Sequence, residues 1–170
     1  MLLADIRFCG KEDASQVLEV DRTSPYPWPE RVVSRDLLAA DSGLSYLGAF
    51  APRAPVPRAL ASIQDKLLAY AVLASENGNG LLMNVVVLPE YRRRGIGTQL
   101  VVAAAECAAA LSFSELALRV RLSNLAAAEL YRNLGFVSVR TQDRYYSNGD
   151  AARRMSLKLP LVFSGERARR

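Results

Sequence analysis

The stretch from Leu81 to Thr98, LLMNVVVLPEYRRRGIGT, constrains the fold of this chain more than any other. Its apolar start, Leu81 to Leu88, is rich in valine and too short for a buried helix, so it predicts a buried strand. A turn with two glycines follows and leads into an alanine-rich helical pattern. Free N–H groups at a helix start and the helix dipole favour an anion there, and glycines let a phosphate approach the backbone. The three arginines in the turn, Arg92 to Arg94, suit a pyrophosphate.

Three phosphate-binding motifs compete for this turn. The dinucleotide fingerprint GxGxxG does not match, because no third glycine follows Gly97. A P-loop requires a lysine after its last glycine, and none is present. The remaining match is RxxGxG, formed by Arg92, Gly95 and Gly97. The alternative to an anion site is an ordinary strand-to-helix turn with solvated arginines.

The length of 170 residues fits one domain, which we place at residues 1–163, followed by a basic, disordered tail at 164–170. No apolar run reaches the roughly 18 residues of a membrane span, and the N-terminus lacks the cationic region of a signal peptide. We therefore expect a cytoplasmic protein with no membrane contact. Its two cysteines, Cys9 and Cys107, are expected to be reduced and buried.

The chain contains no histidine, which limits its chemistry. Catalysis through Ser-His-Asp or Cys-His groups is excluded, as are most catalytic zinc sites, and we expect no metal site. Any general acid or base must be Glu, Asp, Tyr, Lys, Cys, a terminal amine or water. The net charge of +5 suits a phosphate-bearing cofactor or a nucleoprotein partner.

Hydrophobic periodicity and turn residues predict alternating short strands and helices. Strands are expected at Asp5–Phe8, Leu44–Phe50, Lys66–Ala74, Leu116–Arg121, Val137–Tyr146 and Met155–Leu159, in addition to the strand before the turn. Helices are expected at Glu12–Val20, Glu30–Ala40, Gly95–Leu111 and Asn124–Leu134. The long helix has an apolar stripe from Ile96 to Leu111, and the last helix is expected to be capped by Ser123.

Three connecting segments add detail to this pattern. The residues Glu76 to Gly80 predict a turn that makes a hairpin with the strand before the glycine turn. The segment Ala51–Ala59 holds three prolines and predicts an exposed, partly extended loop. The proline-rich link TSPYPWP, Thr23 to Pro29, carries Tyr26 and Trp28. Trp28 either rims a binding site or packs two helices together, and the sequence favours neither alternative.

A second motif, VRLSNLAAAELYRNLGF from Val120 to Phe136, makes the pattern specific. It resembles the SNxxAxxLYxxLGF element of the GCN5-related N-acetyltransferases (GNAT), and the RxxGxG turn resembles their coenzyme A pyrophosphate loop. The resemblance covers nearly the whole chain. More narrowly, the chain is similar to the RimI type, which acetylates the N-terminal alanine of a small-subunit ribosomal protein. The segments Tyr26–Trp28, Met83–Val87 and Arg144–Tyr146 carry this narrower similarity.

The resemblance implies an α/β (α+β) GNAT fold, with a mixed, mostly antiparallel sheet flanked by about four helices. It implies acetyl-coenzyme A as cosubstrate, held in a cleft between splayed central strands. The implied cofactor-binding residues are Val85, Val86, Val87, Arg92, Arg93, Arg94, Gly95, Ile96, Gly97, Thr98 and Asn124. Tyr131 would protonate the leaving thiolate, the alternative being a core tyrosine. Tyr26, Trp28, Arg119 and Tyr145 would contact the acceptor.

The expected acceptor is a protein or peptide N-terminus, most specifically that of a ribosomal protein. The resemblance implies no direct contact with nucleic acid, and a monomer or weak dimer. Two alternatives stay open from the residues alone: acetylation of a small-molecule amine, and an acyl-coenzyme A binding module that has lost turnover.

One departure from the family concerns the general base. The RimI type has a glutamate in a Leu-Glu-Val-Arg strand, where this chain has Arg119, and arginine has no acceptor with which to take a proton. An α-amine with a pKa of about 7.8 costs only ~0.5 kcal/mol to deprotonate near pH 7.4, against ~4 kcal/mol for a lysine. Water, Glu76 or Glu30 could therefore suffice for an N-terminal acceptor. We also expect Arg119 to favour acceptors with an acidic residue near the amine.

Overall fold

The computed structural model describes residues 1–39, 43–52 and 66–160. In these ranges the strands are β1 Asp5–Phe8, β2 Leu44–Phe50, β3 Leu67–Glu76, β4 Asn79–Val87, β5 Glu115–Arg121, β6 Val137–Gln142 and β7 Ala152–Lys158. The helices are α1 Ala14–Asp21, α2 Glu30–Leu38, α3 Ile96–Ala110 and α4 Leu125–Asn133. The strands are hydrogen-bonded in the order β1-β2-β3-β4-β5-β7-β6. The predicted α/β class, with a mostly antiparallel sheet and four helices, is confirmed.

Some predictions fall outside the described residues. The tail at 164–170 lies outside them, as does most of the predicted loop Ala51–Ala59. The single domain at 1–163 stays a prediction. None of the helices in the described ranges is long and apolar enough to cross a membrane. Within the same ranges, no group of three or more His, Cys, Asp or Glu side chains could hold a metal ion.

The chain divides into two compact units. The first comprises the described residues of Met1–Ser75 and Leu82–Ala104. Its strands β1, β2 and β3 pair antiparallel, and the apolar side chains that the sequence pattern places inside are buried. The core around α1 and α2 consists of Val17, Leu18, Val20, Val33, Tyr46, Phe50, Leu67, Tyr70, Val72 and Val86.

The second unit comprises Glu76–Leu81 and the described residues from Ala105 onward. Here β7 pairs antiparallel with both β5 and β6. Leu116 and Leu118 on β5 and Met155 on β7 are fully buried, as the alternation along β5 predicts. Arg119 on β5 lies directly opposite Arg154 on β7, so the two side chains share one face of the sheet.

Several predicted strand ends are wrong. Strand β3 ends at Glu76 instead of Ala74, β4 begins at Asn79 instead of Leu81, and β7 begins at Ala152 instead of Met155. The hairpin between β3 and β4 turns on only two residues, Asn77 and Gly78, because both adopt positive φ values of 53° and 77°. Strand β6 is predicted to end at Tyr146 but ends four residues earlier, at Gln142. The reason is that Arg144 has a φ of 52° and leaves the extended conformation. Tyr145 and Tyr146 therefore lie in the loop between β6 and β7.

Two predicted details of the helices are also wrong. Helix α3 ends at Ala110, so Leu111 leaves the apolar stripe and is 60% exposed. Asn124, rather than Ser123, caps α4, because its side-chain oxygen accepts a hydrogen bond from the Ala127 N–H at 3.1 Å. The two cysteines are free thiols, as expected, but each is half-buried rather than buried.

A buried carboxylate organises the first unit. Asp21, at the end of α1, is only 1% exposed. It accepts hydrogen bonds from the Tyr70 hydroxyl at 2.5 Å and from the Trp28 backbone N–H at 2.7 Å. The Tyr70 oxygen in turn accepts from the Asn84 side chain at 3.0 Å. One side chain thus joins α1 to β3, to β4 and to the link that carries Trp28.

We expect Asp21→Ala to lower the free energy of unfolding by about 2–4 kcal/mol, because it leaves the buried Tyr70 hydroxyl and the Trp28 N–H without their acceptor. Glu19 is an exposed carboxylate on the same helix, and Glu19→Ala is the matched control, expected to change stability by about 0.5 kcal/mol or less. Urea unfolding followed by circular dichroism measures both. Equal effects of the two substitutions would contradict the organising role of Asp21.

Candidate functional site

The predicted anion-binding turn lies in the first unit. A single 3-10 turn, Pro89–Tyr91, follows β4, and α3 begins at Ile96. Between them, Arg93 and Gly95 adopt left-handed backbone conformations, with φ values of 61° and 83°. The chain therefore reverses sharply before the helix begins, and the first N–H groups of α3 have no partner within the helix. This is the local geometry that an anion site at a helix N-terminus requires.

Arg92 has a structural role that the motif alone does not indicate. Its Nε donates to the Val87 carbonyl at 3.0 Å, and its Nη2 donates to the Thr23 carbonyl at 3.4 Å. The side chain thus joins the end of β4 to the link between α1 and α2. Arg92, Arg93 and Arg94 are all exposed, but the Arg92 side chain already makes these two hydrogen bonds, which leaves Arg93 and Arg94 better placed to meet a phosphate.

Gln99 is a residue at this turn that sequence reasoning missed. Its side-chain nitrogen donates to the Leu2 carbonyl at 2.7 Å, and its side-chain oxygen accepts from the Ala4 N–H at 3.0 Å. The Leu2 N–H also donates to the Arg94 carbonyl at 3.0 Å. The N-terminal segment therefore braces the turn through three hydrogen bonds. A glutamine in the first turn of a helix gives no sequence signal for such a contact.

A cavity of about 350 Å³ lies beside the link between α1 and α2. Its apolar walls are Trp28, Pro29, Val32, Leu44 and Met83. Trp28 also packs against the core of the first unit, as one of the two alternatives expects. That it rims a binding site stays a prediction. Asp36 lines the same cavity with its neighbour Arg35, which donates to one Asp36 oxygen at 2.8 and 3.0 Å. Tyr26 lies on the same link and is 48% exposed.

Arg119 lies in the second unit, on β5, and forms an ion pair. Its Nη2 is 2.9 and 3.0 Å from the two carboxylate oxygens of Glu76. The Arg119 side chain is 17% exposed and that of Glu76 is 30% exposed. The hydrogen bond that Arg119 donates to Glu76 raises the pKa of Arg119, so the guanidinium stays charged. Because Glu76 neutralises it, the expectation that Arg119 selects acidic acceptors loses its physical basis.

Two tyrosines of the loop between β6 and β7 surround this ion pair. The Tyr145 ring centroid is 5.5 Å from the Arg119 guanidinium carbon, and Tyr145 is 45% exposed. Tyr146 meets Tyr145 edge-on at 5.0 Å and donates its hydroxyl to the Arg119 carbonyl at 3.5 Å. Arg121 covers the Tyr146 ring at 3.7 Å and pairs with Asp150 at 2.5 Å. These contacts hold an exposed tyrosine over a fixed ion pair.

Tyr131, the predicted general acid, also lies in the second unit. It is 9% exposed and packs against Phe136, with ring centroids 5.6 Å apart. Burial, and to a smaller extent the nearby Tyr146, raise the pKa of Tyr131 to about 12, so its hydroxyl keeps its proton at neutral pH. Within the described part of the chain, this hydroxyl makes no hydrogen bond. The residue is packed in the core and retains a proton that it could donate.

Comparison with known proteins identifies relatives of this chain. The model of the acetyltransferase (GNAT) family matches residues 16–136. An N-alpha-acetyltransferase of Saccharolobus solfataricus is 29% identical over 91% of this chain and 92% of its own length. A [ribosomal protein bS18]-alanine N-acetyltransferase of Haemophilus ducreyi is 25% identical over 89% of this chain and 94% of its own length. An N-alpha-acetyltransferase of Sulfurisphaera tokodaii is 38% identical, but this match spans about half of each protein, 47% of this chain and 48% of the relative.

Solved structures share the fold. The ribosomal-protein-S18-alanine N-acetyltransferase of Escherichia coli superposes with a TM-score of 0.74 at 22% identity, over 97% of this chain and 98% of that one. The Arabidopsis thaliana NAA60 protein in complex with acetyl-CoA superposes with a TM-score of 0.74 at 16% identity, over 91% of this chain and 98% of that one. Because these sequence identities are low, the two matches show only that the fold is shared.

We expect coenzyme A to raise the melting temperature of the protein, because a ligand that binds only the folded state stabilises it. Gly97→Asp should abolish this shift, since it places a carboxylate at the predicted pyrophosphate position. The matched variant Gly97→Ala adds a side-chain carbon without charge and should lose less of the shift. Thermal unfolding of the three proteins with and without coenzyme A measures the effect. A full shift in Gly97→Asp would place the cofactor elsewhere.

Proposed function

The chain belongs to the acetyltransferase (GNAT) family, and from this premise we propose that it acetylates the α-amine of a protein N-terminus. Membership of this family confirms the predicted acetyltransferase chemistry, with acetyl-coenzyme A as the cosubstrate. The N-alpha-acetyltransferase relative that matches 91% of the chain supports a protein N-terminus as the acceptor.

The observation that carries this proposal is the ion pair that Arg119 forms with Glu76. The residue there is a cation already paired with Glu76, so no unpaired carboxylate occupies the position of the family's base. Deprotonating a lysine or a polyamine near neutral pH costs about 4 kcal/mol, which demands a strong base, whereas an α-amine costs less than about 1 kcal/mol. The site therefore suits an α-amine better than the small-molecule amines that are the alternative.

Most of the residues that would bind the cofactor belong to the first unit, and Asn124 belongs to the second. The left-handed turn at Arg93 and Gly95 and the start of α3 would hold the pyrophosphate. Val85 and Val86, together with Val87, would offer backbone groups to the pantetheine arm, although the Val87 carbonyl already accepts from Arg92. The proposed role of Asn124 is compatible with its capping of α4, since the cap uses its oxygen and leaves its amide N–H groups to donate.

The reaction that fits these residues is direct transfer. The neutral amine nitrogen attacks the thioester carbonyl carbon, the C–N bond forms and the C–S bond breaks. Tyr131 donates its hydroxyl proton to the sulfur that leaves, and its raised pKa keeps that proton available at neutral pH. The exposed Tyr145 ring would then pack against the first residues of the acceptor.

The first residue of the acceptor is the finer question. The relatives named for bS18-alanine acetylation support the N-terminal alanine of a ribosomal protein as the acceptor. The cavity beside Trp28 favours a second candidate, an N-terminus that begins with a large apolar residue. The pocket is open to solvent, so a leucine or methionine side chain that lies against its apolar walls would be partly buried and would contribute less than the roughly 1.5–3 kcal/mol of full burial.

We predict that Tyr131→Phe lowers kcat roughly 10²-fold with little change in coenzyme A affinity, because it keeps the ring and removes the proton donor. Tyr46→Phe is the matched control, since it removes another buried tyrosine hydroxyl whose pKa is also raised by burial. Steady-state kinetics on a peptide acceptor compares the two variants. Full activity of Tyr131→Phe would return Tyr131 to a purely structural role in the core.

A competition assay tests the acceptor. Peptides that begin with Ala and with Met or Leu, otherwise identical, are incubated with the enzyme and acetyl-coenzyme A, beside a polyamine and a no-acceptor control. We expect α-amine acetylation of the peptides and none of the polyamine. If the cavity receives the first side chain, Trp28→Ala should lower kcat/KM about tenfold on the Met or Leu peptide and change the Ala peptide less. Polyamine turnover above peptide turnover would contradict the proposed function.

A further inference from the structure

We propose that Glu76 is the general base of this enzyme and that Arg119 is the residue that positions it. The inference rests on the proposed function, because it assigns the proton acceptor for the same α-amine. The RimI type has a glutamate at the position of Arg119, and here the end of β3 instead supplies a carboxylate that contacts the Arg119 guanidinium. The ion pair therefore offers a carboxylate from a neighbouring strand in place of the missing base.

The geometry leaves the Glu76 carboxylate able to take a proton. One guanidinium nitrogen, Nη2 of Arg119, contacts both carboxylate oxygens, at 2.9 and 3.0 Å. An ionised carboxylate has about four lone-pair positions, so a single nitrogen between the two oxygens leaves others for a substrate N–H. The Glu76 side chain is 30% exposed, so part of the carboxylate remains accessible.

Arg119 is held more firmly than a surface arginine. Its side chain is 17% exposed, and its Nε, like that of Arg154, is buried without a hydrogen-bond partner within the described part of the chain. The Tyr145 ring covers the guanidinium, and the Tyr146 hydroxyl fixes the Arg119 carbonyl.

The same face of the sheet provides an internal comparison. Arg154 lies directly opposite Arg119 in the strand register and pairs with Glu115 on β5. This second pair is longer, at 3.7 Å, and the two side chains are 25% and 33% exposed. Glu115 therefore resembles Glu76 in residue type, partner and exposure. Tyr145 and Tyr146, however, contact Arg119, so only the Glu76 pair belongs to the tyrosine-lined site.

The proton balance of the step is simple. The carboxylate of Glu76 takes one proton from the acceptor ammonium and later releases it to water. The neutral amine then forms the C–N bond while the C–S bond of acetyl-coenzyme A breaks. The sulfur receives the Tyr131 proton. The nitrogen then loses its second proton, which passes through water to Tyr131 and restores its hydroxyl. The products are one amide, one free thiol and one proton.

The test compares Glu76→Gln with the matched control Glu115→Gln at pH 6.5 and pH 8.5. The acceptor is a peptide without lysine or histidine, so that only its α-amine titrates in this range. About 5% of such an amine is neutral at pH 6.5 and about 80% at pH 8.5. Without its base, the enzyme depends on the amine arriving neutral. We expect Glu76→Gln to lower kcat/KM about 10²-fold at pH 6.5 but only about tenfold at pH 8.5.

Charged groups around Glu76 enter the interpretation of this pH profile. Arg119 on β5 pairs with Glu76, and Tyr145 and Tyr146 contact Arg119. Arg121 covers the Tyr146 ring and pairs with Asp150. Both arginines stay charged across the range of the test. Burial raises the pKa of Tyr146, so its phenol stays protonated across the same range. A change of the rate between pH 6.5 and pH 8.5 therefore reports the proton of the amine.

The positioning role of Arg119 has its own readout. Arg119→Gln should lower kcat about tenfold with little change in KM, because the base is present but not held in place. Arg119→Lys should restore part of that loss, since a lysine can still donate to Glu76. A purely structural role would instead lower the melting temperature and leave kcat per folded molecule unchanged, and that result would overturn the positioning role.

The outcomes separate this inference from the proposed function. Wild-type enzyme that acetylates no N-terminal peptide overturns both. Active wild-type enzyme whose Glu76→Gln variant behaves like Glu115→Gln leaves the function standing and overturns the role of Glu76. An equal loss at both pH values also overturns it, because the substitution then disturbs the site without changing how the proton leaves. A loss concentrated at pH 6.5, with Glu115→Gln unaffected, supports the proposal.

Discussion

The first unit of this enzyme depends on the buried carboxylate of Asp21. A charge that is 1% exposed is tolerable only when strong donors surround it, and here the Tyr70 hydroxyl and the Trp28 N–H supply them. The same hydrogen bonds decide where the proline-rich link can lie, because Trp28 must reach back to the end of α1. The wall of the cavity beside that link is thus positioned by a polar contact in the core. Arg92 joins the same link to the end of β4 through the Thr23 carbonyl.

The second unit relies on a different device, a row of arginines with individual acidic partners. Arg119 and Arg154 lie opposite each other across β5 and β7, where like charges would repel. Glu76 and Glu115 neutralise them one by one, and Asp150 does the same for Arg121. Arginine suits this arrangement because its guanidinium stays charged when it is partly buried and can bind a carboxylate and contact an aromatic ring together. The tyrosines of the loop between β6 and β7 contact two of these arginines.

Much of the fold follows from local sequence signals, and the exceptions have physical reasons. The strands β1 and β2 begin and end where alternation and turn residues place them, and the glycine turn predicts the start of α3 to within one residue. The predicted end of β6 is wrong because no sequence pattern indicates that Arg144 adopts a left-handed backbone conformation. Asn124 and Ser123 are both good capping residues, so only the geometry decides between them. The Arg119–Glu76 pair joins residues 43 positions apart, and no periodicity reports such a contact.

The replacement of a glutamate by an arginine at position 119 need not remove the chemistry of the site. An ion pair has no net charge, so it neither draws in a protonated amine nor repels it, whereas a lone glutamate would attract the ammonium form. This favours an acceptor whose amine is partly neutral before it binds. The α-amine of a protein meets that requirement near neutral pH and a lysine side chain does not. The Arg119–Glu76 ion pair therefore favours N-terminal amines over lysine side chains. In this way the replacement of the usual glutamate at position 119 also affects which substrate the enzyme accepts.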